Sequence, residues 1–127
     1  MLKSKSAFSS YSTDDIQETK TFYENVLGLS VEEKDMGLYA ELPGGGKLFI
    51  YPKDNHQPAT YTVLNFEVEN IDEAMDQIIG EGITFENYEG LTGDDNIAKT
   101  TVCGQSIWTA WFQDNAGNII SIMQTEV

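Results

Sequence analysis

The chain repeats itself. Ile16 and Ile71 stand 55 residues apart, as do Tyr23 and Ile78, and Gly28-Leu-Ser-Val31 is echoed 54 residues on by Gly82-Ile-Thr-Phe85. In each copy an extended stretch leads into an amphipathic helix closed by glycine, and further extended stretches follow. This β-α-β-β-β repeat limits the fold severely. Each half has one helix to cover one face of its sheet, so the other face needs a second cover. Two halves curving around a shared cavity would supply it, and a ligand is expected in that cavity. The expected class is α+β, a single domain over 1–127 with modules at about 7–52 and 61–124.

Local signals place the elements. Residues 7–13 read as a strand, and Ser12, Thr13, Asp14 and Asp15 offer caps for a helix. Ile16, Thr19, Tyr23, Val26 and Leu27 form its stripe, and Gly28 ends it in a left-handed turn. Strands are expected at 30–34, 37–43 and 47–52, with Pro43-Gly-Gly-Gly46 as the turn before the last. No helix follows those glycines, so they are a hairpin turn rather than a phosphate loop. In the second copy 61–68 is a strand, and Asn70 caps a helix with Ile71, Ala74, Met75, Ile78 and Ile79 on its apolar face. Gly80 and Gly82 close that helix. Strands at about 83–88, 98–103, 106–113 and 118–124 follow, and Asp114-Asn-Ala-Gly117 turns between the last two.

Charge excludes several partners. Twenty-one acids face seven bases, all lysine, for a net charge of −14. Without arginine there is no bidentate fork for phosphate, and a polyanion is repelled, so nucleic acid and anionic membranes are not expected partners. Ten acids lie between Glu67 and Asp95, while His56 is the sole possible cation between Lys53 and Lys99. That field either keeps the surface soluble or attracts a cationic ligand. One cysteine, Cys103, excludes an internal disulfide framework and a multi-thiolate metal site. The first ten residues hold no apolar run of signal-peptide length and no stretch matches a membrane span, so a cytoplasmic protein is expected.

Strand alternation selects inward side chains. With Leu64, Phe66 and Val68 on the helix side, Val63, Asn65 and Glu67 point into the cavity. Near the end Ile119, Ser121 and Met123 share one face. Phe8, Ser10 and Ser12 share a face of the first strand, and Phe49 and Tyr51 share a face of the fourth.

At this point the residues resemble a known group. Thr13-Asp-Asp-Ile16 followed by Phe22-Tyr-Glu-Asn-Val-Leu-Gly-Leu29 is similar to the first helix of the vicinal oxygen chelate superfamily. That group includes glyoxalase I, extradiol dioxygenases, and fosfomycin- and bleomycin-resistance proteins. Trp111-Phe-Gln-Asp-Asn-Ala-Gly-Asn-Ile-Ile120 resembles its second signature turn, with Asn115 where proline is usual, and Phe66-Glu-Val68 before Ile71-Asp-Glu-Ala74 fits the second repeat. The resemblance covers about residues 7–124.

The resemblance also implies where metalloenzyme members hold a divalent ion. Their histidine positions fall on Phe8 and Val63, and their final glutamate falls on Ser121. The remaining acid would fall on the face of Phe49 and Tyr51. None of these is a histidine or carboxylate, and a divalent ion needs at least three good donors, so neither metal nor other cofactor is expected. What the resemblance then implies is a metal-free homodimer of the bleomycin-resistance type, sequestering a cationic or aromatic organic molecule. The alternative is a lyase, isomerase or dioxygenase with a non-standard site, with Glu67 and Tyr51 or Ser121 as acid–base groups. A third reading is a domain kept for oligomerisation alone.

The candidate ligand-binding residues are Phe8, Ser10, Phe49, Tyr51, Val63, Asn65, Glu67, Trp108, Ser121 and Met123. Each has a plainer reading. Phe8, Phe49 and Tyr51 stack on a ligand or fill a collapsed cavity. Glu67 contacts a ligand or is a surface carboxylate at a strand end. Ser10 and Ser121 leave room where metalloenzymes are crowded. Trp108 and Trp111, three apart on one strand, point to opposite faces; the spacing does not say which lines the pocket, and Trp108 is the candidate. His56, in Asp54-Asn-His-Gln-Pro58, reads as a solvated loop residue, and Cys103 as a buried structural thiol. The polar segment 87–96 reads as an exposed loop, with a mobile lip over the cavity as the sharper version.

Overall fold

The computed structural model describes residues 1–125. The chain divides into two compact units, Met1–Pro58 and a second beginning at Ala59.

The first unit runs β1 (Ser9–Thr13), α1 (Ile16–Asn25), β2 (Ser30–Lys34), β3 (Gly37–Glu41) and β4 (Lys47–Pro52). Its four-stranded sheet has the order β1-β4-β3-β2, with β1 parallel to β4 and the other pairs antiparallel. Asp15 caps α1, its side chain accepting the Glu18 N–H at 3.0 Å. Gly28, at φ +68°, reverses the chain so that the Leu29 N–H reaches the Tyr23 carbonyl at 3.0 Å. The helix is shorter than the expected 16–27. It buries Thr19, Phe22 and Tyr23, whereas Ile16, Val26 and Leu27 are only half-buried. Phe22 lay off the stripe read from the sequence, and it packs beside Tyr23 with ring centroids 5.8 Å apart.

Alternation in β3 and β4 buries Leu38, Ala40, Leu48 and Ile50, each at most 3% exposed. Each of the larger three contributes about 1.5–3 kcal/mol on burial. Two hydroxyl pairs tie this layer to the helix: Tyr11 with Tyr23 at 2.6 Å and Thr13 with Thr19 at 2.7 Å. Gly37 opens β3 at φ +146°, and a Cβ there would collide with the Ile50 carbonyl oxygen. The loop 42–46 closes with Leu42 N–H donating to the Gly46 carbonyl at 2.8 Å. That fixes the pairing of Glu41 with Lys47 and of Tyr39 with Phe49.

The second unit repeats the plan: β5 (Thr62–Glu67), α2 (Ile71–Gly80), β6 (Ala98–Val102), β7 (Gln105–Gln113) and β8 (Ile119–Thr125). Its sheet order is β5-β8-β7-β6, again with one parallel pair, β5 with β8. Asn70 caps α2 by accepting the Glu73 N–H at 3.0 Å. Ile71, Met75 and Ile78 are buried, while Ile79, expected on the apolar face, is 52% exposed. Their counterparts across the layer are Ala110, Phe112, Ile120 and Ile122. The turn at 114–117 is held from within: buried Asp114 accepts the N–H groups of Ala116 and Asn118, both at 2.9 Å, and the Asn118 amide at 3.2 Å.

Three further expectations differ from the fold. Residues 83–88 do not form a strand. Phe85 is buried edge-on against Phe112, and the Glu86 N–H bonds the Trp111 carbonyl at 2.8 Å, but β6 already takes β7 from Gln105 to Thr109. Cys103 is exposed, at φ +53° in the β6–β7 turn with Gly104 at φ +78°; the reversal of the hairpin carries it out of the core. His56 is half-buried, its Nδ1 2.7 Å from the Ser12 hydroxyl, because the loop after β4 folds back along β1.

Candidate functional site

Each sheet has a helix-covered face and a second face; of the candidates, Ser10, Phe49 and Tyr51 in the first unit and Asn65, Glu67, Ser121 and Met123 in the second fall on the second face. In the first unit this face carries Ser10 and Ser12 from β1, Lys47, Phe49 and Tyr51 from β4, Tyr39 and Glu41 from β3, and Ser30, Glu32 and Lys34 from β2. Register aligns the aromatic residues. Ser10 pairs with Phe49, Ser12 with Tyr51, and Tyr39 with Phe49. The Tyr39 and Phe49 centroids are 4.7 Å apart, and Phe49 and Tyr51 stack at 5.9 Å with 28° between planes. A groove of about 310 Å³ lies over the Tyr39–Phe49 part of this row. Phe8 lines it as well; it precedes β1 and is 65% exposed, not the strand residue expected.

Charges rim the groove in both signs. Lys34 lies 3.9 Å from Glu32 and sits 5.1 Å above the Tyr39 ring centroid. Glu41 and Lys47 also line it and face each other across β3 and β4. Tyr39, Glu32, Lys34, Glu41 and Lys47 were not singled out from the sequence. A signal was present: a hairpin turn over 42–46 pairs 41 with 47 and 39 with 49, which puts all four on the face of Tyr51.

The second unit's face is polar and internally bonded. Asn65 pairs with Ser121 and Glu67 with Met123 in the β5–β8 ladder. Fully buried Ser121 donates its hydroxyl to Asn65 Oδ1 at 2.5 Å, and Thr125 donates to Glu67 at 3.2 Å. A bulge between Thr62 and Leu64 removes Val63 from the alternating pattern, so Thr62, not Val63, registers with Ile119. Trp111 stands opposite Ser121 and donates its indole N–H to the Thr62 hydroxyl at 3.1 Å. Trp108 lies on the other face, opposite Gln124, with Lys99 4.6 Å above its ring. Trp111 is therefore the tryptophan that shares the face of Ser121.

Tyr88 meets Trp111 edge-on at 5.6 Å. Burial, and then the Glu86 carboxylate, push the Tyr88 phenol above its ordinary range. The segment around it is stitched to itself: Asn87 donates to the Gly93 carbonyl at 2.9 Å and to Asn96 at 2.8 Å, and Tyr88 N–H to Thr92 at 2.8 Å. Asp95 accepts the Ile97 N–H at 3.1 Å, which holds its carboxyl below the usual range, and Lys99 at 3.3 Å adds to that.

The donor set does not fit a divalent ion of the kind the resemblance implies. Phe8 and Val63 offer no donor, the Ser121 hydroxyl is given to Asn65, and Phe49 stacks on Tyr51. Among the described residues no three His, Cys, Asp or Glu side chains are grouped to hold a metal.

The family follows from comparison with known proteins. Residues 8–122 match the model of the Glyoxalase/Bleomycin resistance protein/Dioxygenase superfamily, and the chain belongs to that superfamily. Solved structures share the fold. An integron cassette protein from the mobile metagenome of V. cholerae is 24% identical, with 98% of each chain covered and a TM-score of 0.67. A virulence protein from Salmonella typhimurium is 20% identical, with 98% of each covered and a TM-score of 0.68. The fosfomycin resistance protein FosX from Listeria monocytogenes is 15% identical, covering 97% of this chain and 94% of its own, with a TM-score of 0.68. No curated protein matches by sequence. No helix among the described residues is long and apolar enough to cross a membrane.

Proposed function

We propose that this protein binds a small planar aromatic molecule without a metal of its own, as a sequestering protein of the resistance type. The site is the second face of the β1–β4 sheet. The observation that carries this is the row Tyr39–Phe49–Tyr51 beside a groove of about 310 Å³. Tyr39 and Phe8 remain 38% and 65% exposed, so ring surface is available for stacking. Each aromatic pair contributes about 0.5–1.5 kcal/mol beyond area burial. The net charge of −14 draws cationic compounds toward the surface. Phe8, Phe49 and Tyr51 contact the ligand, Ser10 leaves room beside Phe49, and the working form is a homodimer.

A thermal-shift screen of planar aromatic compounds, run with and without nickel or zinc, tests this. Stabilisation indifferent to the ion is expected, about 2.7 kcal/mol at a hundred-fold excess over Kd. Phe49→Ala removes it. Binding that requires a divalent ion, or conversion of the compound, overturns the proposal in favour of a lyase, isomerase or dioxygenase.

A further inference from the structure

Four residues on the groove-bearing face form a square of two registered pairs. Tyr39 faces Phe49, and one pleat further on Glu41 faces Lys47. Two residues along a strand are about 7 Å, so the charge pair stands that far from the aromatic pair. All four line the groove. Its other two charges are engaged: Lys34 lies between Glu32, at 3.9 Å, and the Tyr39 ring, at 5.1 Å. Glu41 and Lys47 are in neither of the ion pairs found among the described residues.

From this square we infer that the ligand is an aromatic zwitterion, a flat ring bearing an ammonium and a carboxylate on one short arm, as in an aromatic α-amino acid. This deepens the aromatic-binding reading and rests on it. The ring lies on Phe49, the ammonium meets Glu41 and the carboxylate meets Lys47. Stacking alone accepts any flat ring, and the acidic net charge alone favours a simple cation. A carboxylate and a lysine side by side select the molecule that carries both complements, because a ligand lacking either leaves one charge unanswered.

The test is calorimetric titration with four probes sharing one ring: L-tryptophan, tryptamine, indole-3-propionate and indole. L-tryptophan is expected to bind at least about ten-fold tighter than the other three. Glu41→Gln weakens L-tryptophan and tryptamine alike and leaves indole-3-propionate unchanged. Lys47→Met weakens L-tryptophan and indole-3-propionate and leaves tryptamine unchanged. Tryptamine or indole binding as tightly as L-tryptophan overturns the inference and leaves the aromatic reading standing. So does L-tryptophan binding that ignores both substitutions. Failure of all four probes, with other planar aromatics binding in the thermal-shift screen, overturns the zwitterion class alone. Failure of every planar aromatic overturns the aromatic reading with it.

Discussion

The two units share a topology and differ in what stands at its centre. In the first, Tyr39–Phe49 and Glu41–Lys47 occupy successive cross-strand positions of the β3–β4 pair. In the second, the matching positions of β7 and β8 hold Trp111–Ser121 and Gln113–Ile119. In the second square the Trp111–Ser121 pair is satisfied from within. Thr62 takes the Trp111 N–H, Asn65 takes the Ser121 hydroxyl, and Tyr88 covers the Trp111 edge. The first keeps two opposite charges outside the ion pairs found among the described residues, and a groove over its rings. The repeat supplies two equivalent faces, and on the second one hydrogen bonds engage Trp111, Ser121 and Glu67. The proposed ligand site is the face with the groove and the free charge pair.

Ser121→Glu restores the acid that the family resemblance implies, but at a position with no solvent exposure. An uncompensated buried charge costs about 3–5 kcal/mol. Urea unfolding is expected to show that loss, and nickel or zinc is expected not to restore it. Phe49→Ala separates binding from stability. Phe49 is only half-buried, so the fold loses about 1–2 kcal/mol, while binding of aromatic compounds by calorimetry falls below detection. Equal loss in Trp111→Ala would show that the second face binds as well. Thr62→Val leaves the Trp111 N–H without its acceptor and costs about 1 kcal/mol by chemical denaturation, without effect on binding at the first face.

The smallest effect is a pH dependence at Tyr88. Its phenol is raised above the ordinary value, so the folded chain favours the neutral form. The stability this brings is complete below about pH 10 and is lost as pH rises through the raised value. Stability measured from pH 9 to 11 is expected to decline more in the native chain than in Tyr88→Phe, and a parallel decline would show that burial beside Trp111 does not hold the Tyr88 phenol neutral.

The repeat and the caps were legible because they are local. Asp15 and Asn70 bond donors three residues on, Gly28 needs left-handed backbone, and Asp114 organises its own turn. Ser121 and Asn65 were correctly placed on one face by alternation, and the odd spacing of Trp108 and Trp111 put them on opposite faces. Alternation failed at Val63, because a bulge adds a residue without altering composition. It also misjudged 83–88, where an apolar pattern satisfied itself by burying Phe85 against Phe112 rather than by adding a strand. Cys103 and His56 were misread for a related reason: their exposure depends on where a turn points and where a loop folds back.

By itself the sequence determined the duplicated β-α-β-β-β plan, the superfamily and the want of metal ligands at the expected positions, since these rest on spacing and residue type. The tertiary structure decided which polar groups of the two faces bond one another. The 42–46 turn makes Glu41, Lys47, Tyr39 and Phe49 local neighbours, whereas Thr62 reaches Trp111, 49 residues away, only once the β5–β8–β7 sheet is assembled. Contacts of that range depend on the assembled sheet and leave no local mark on the chain.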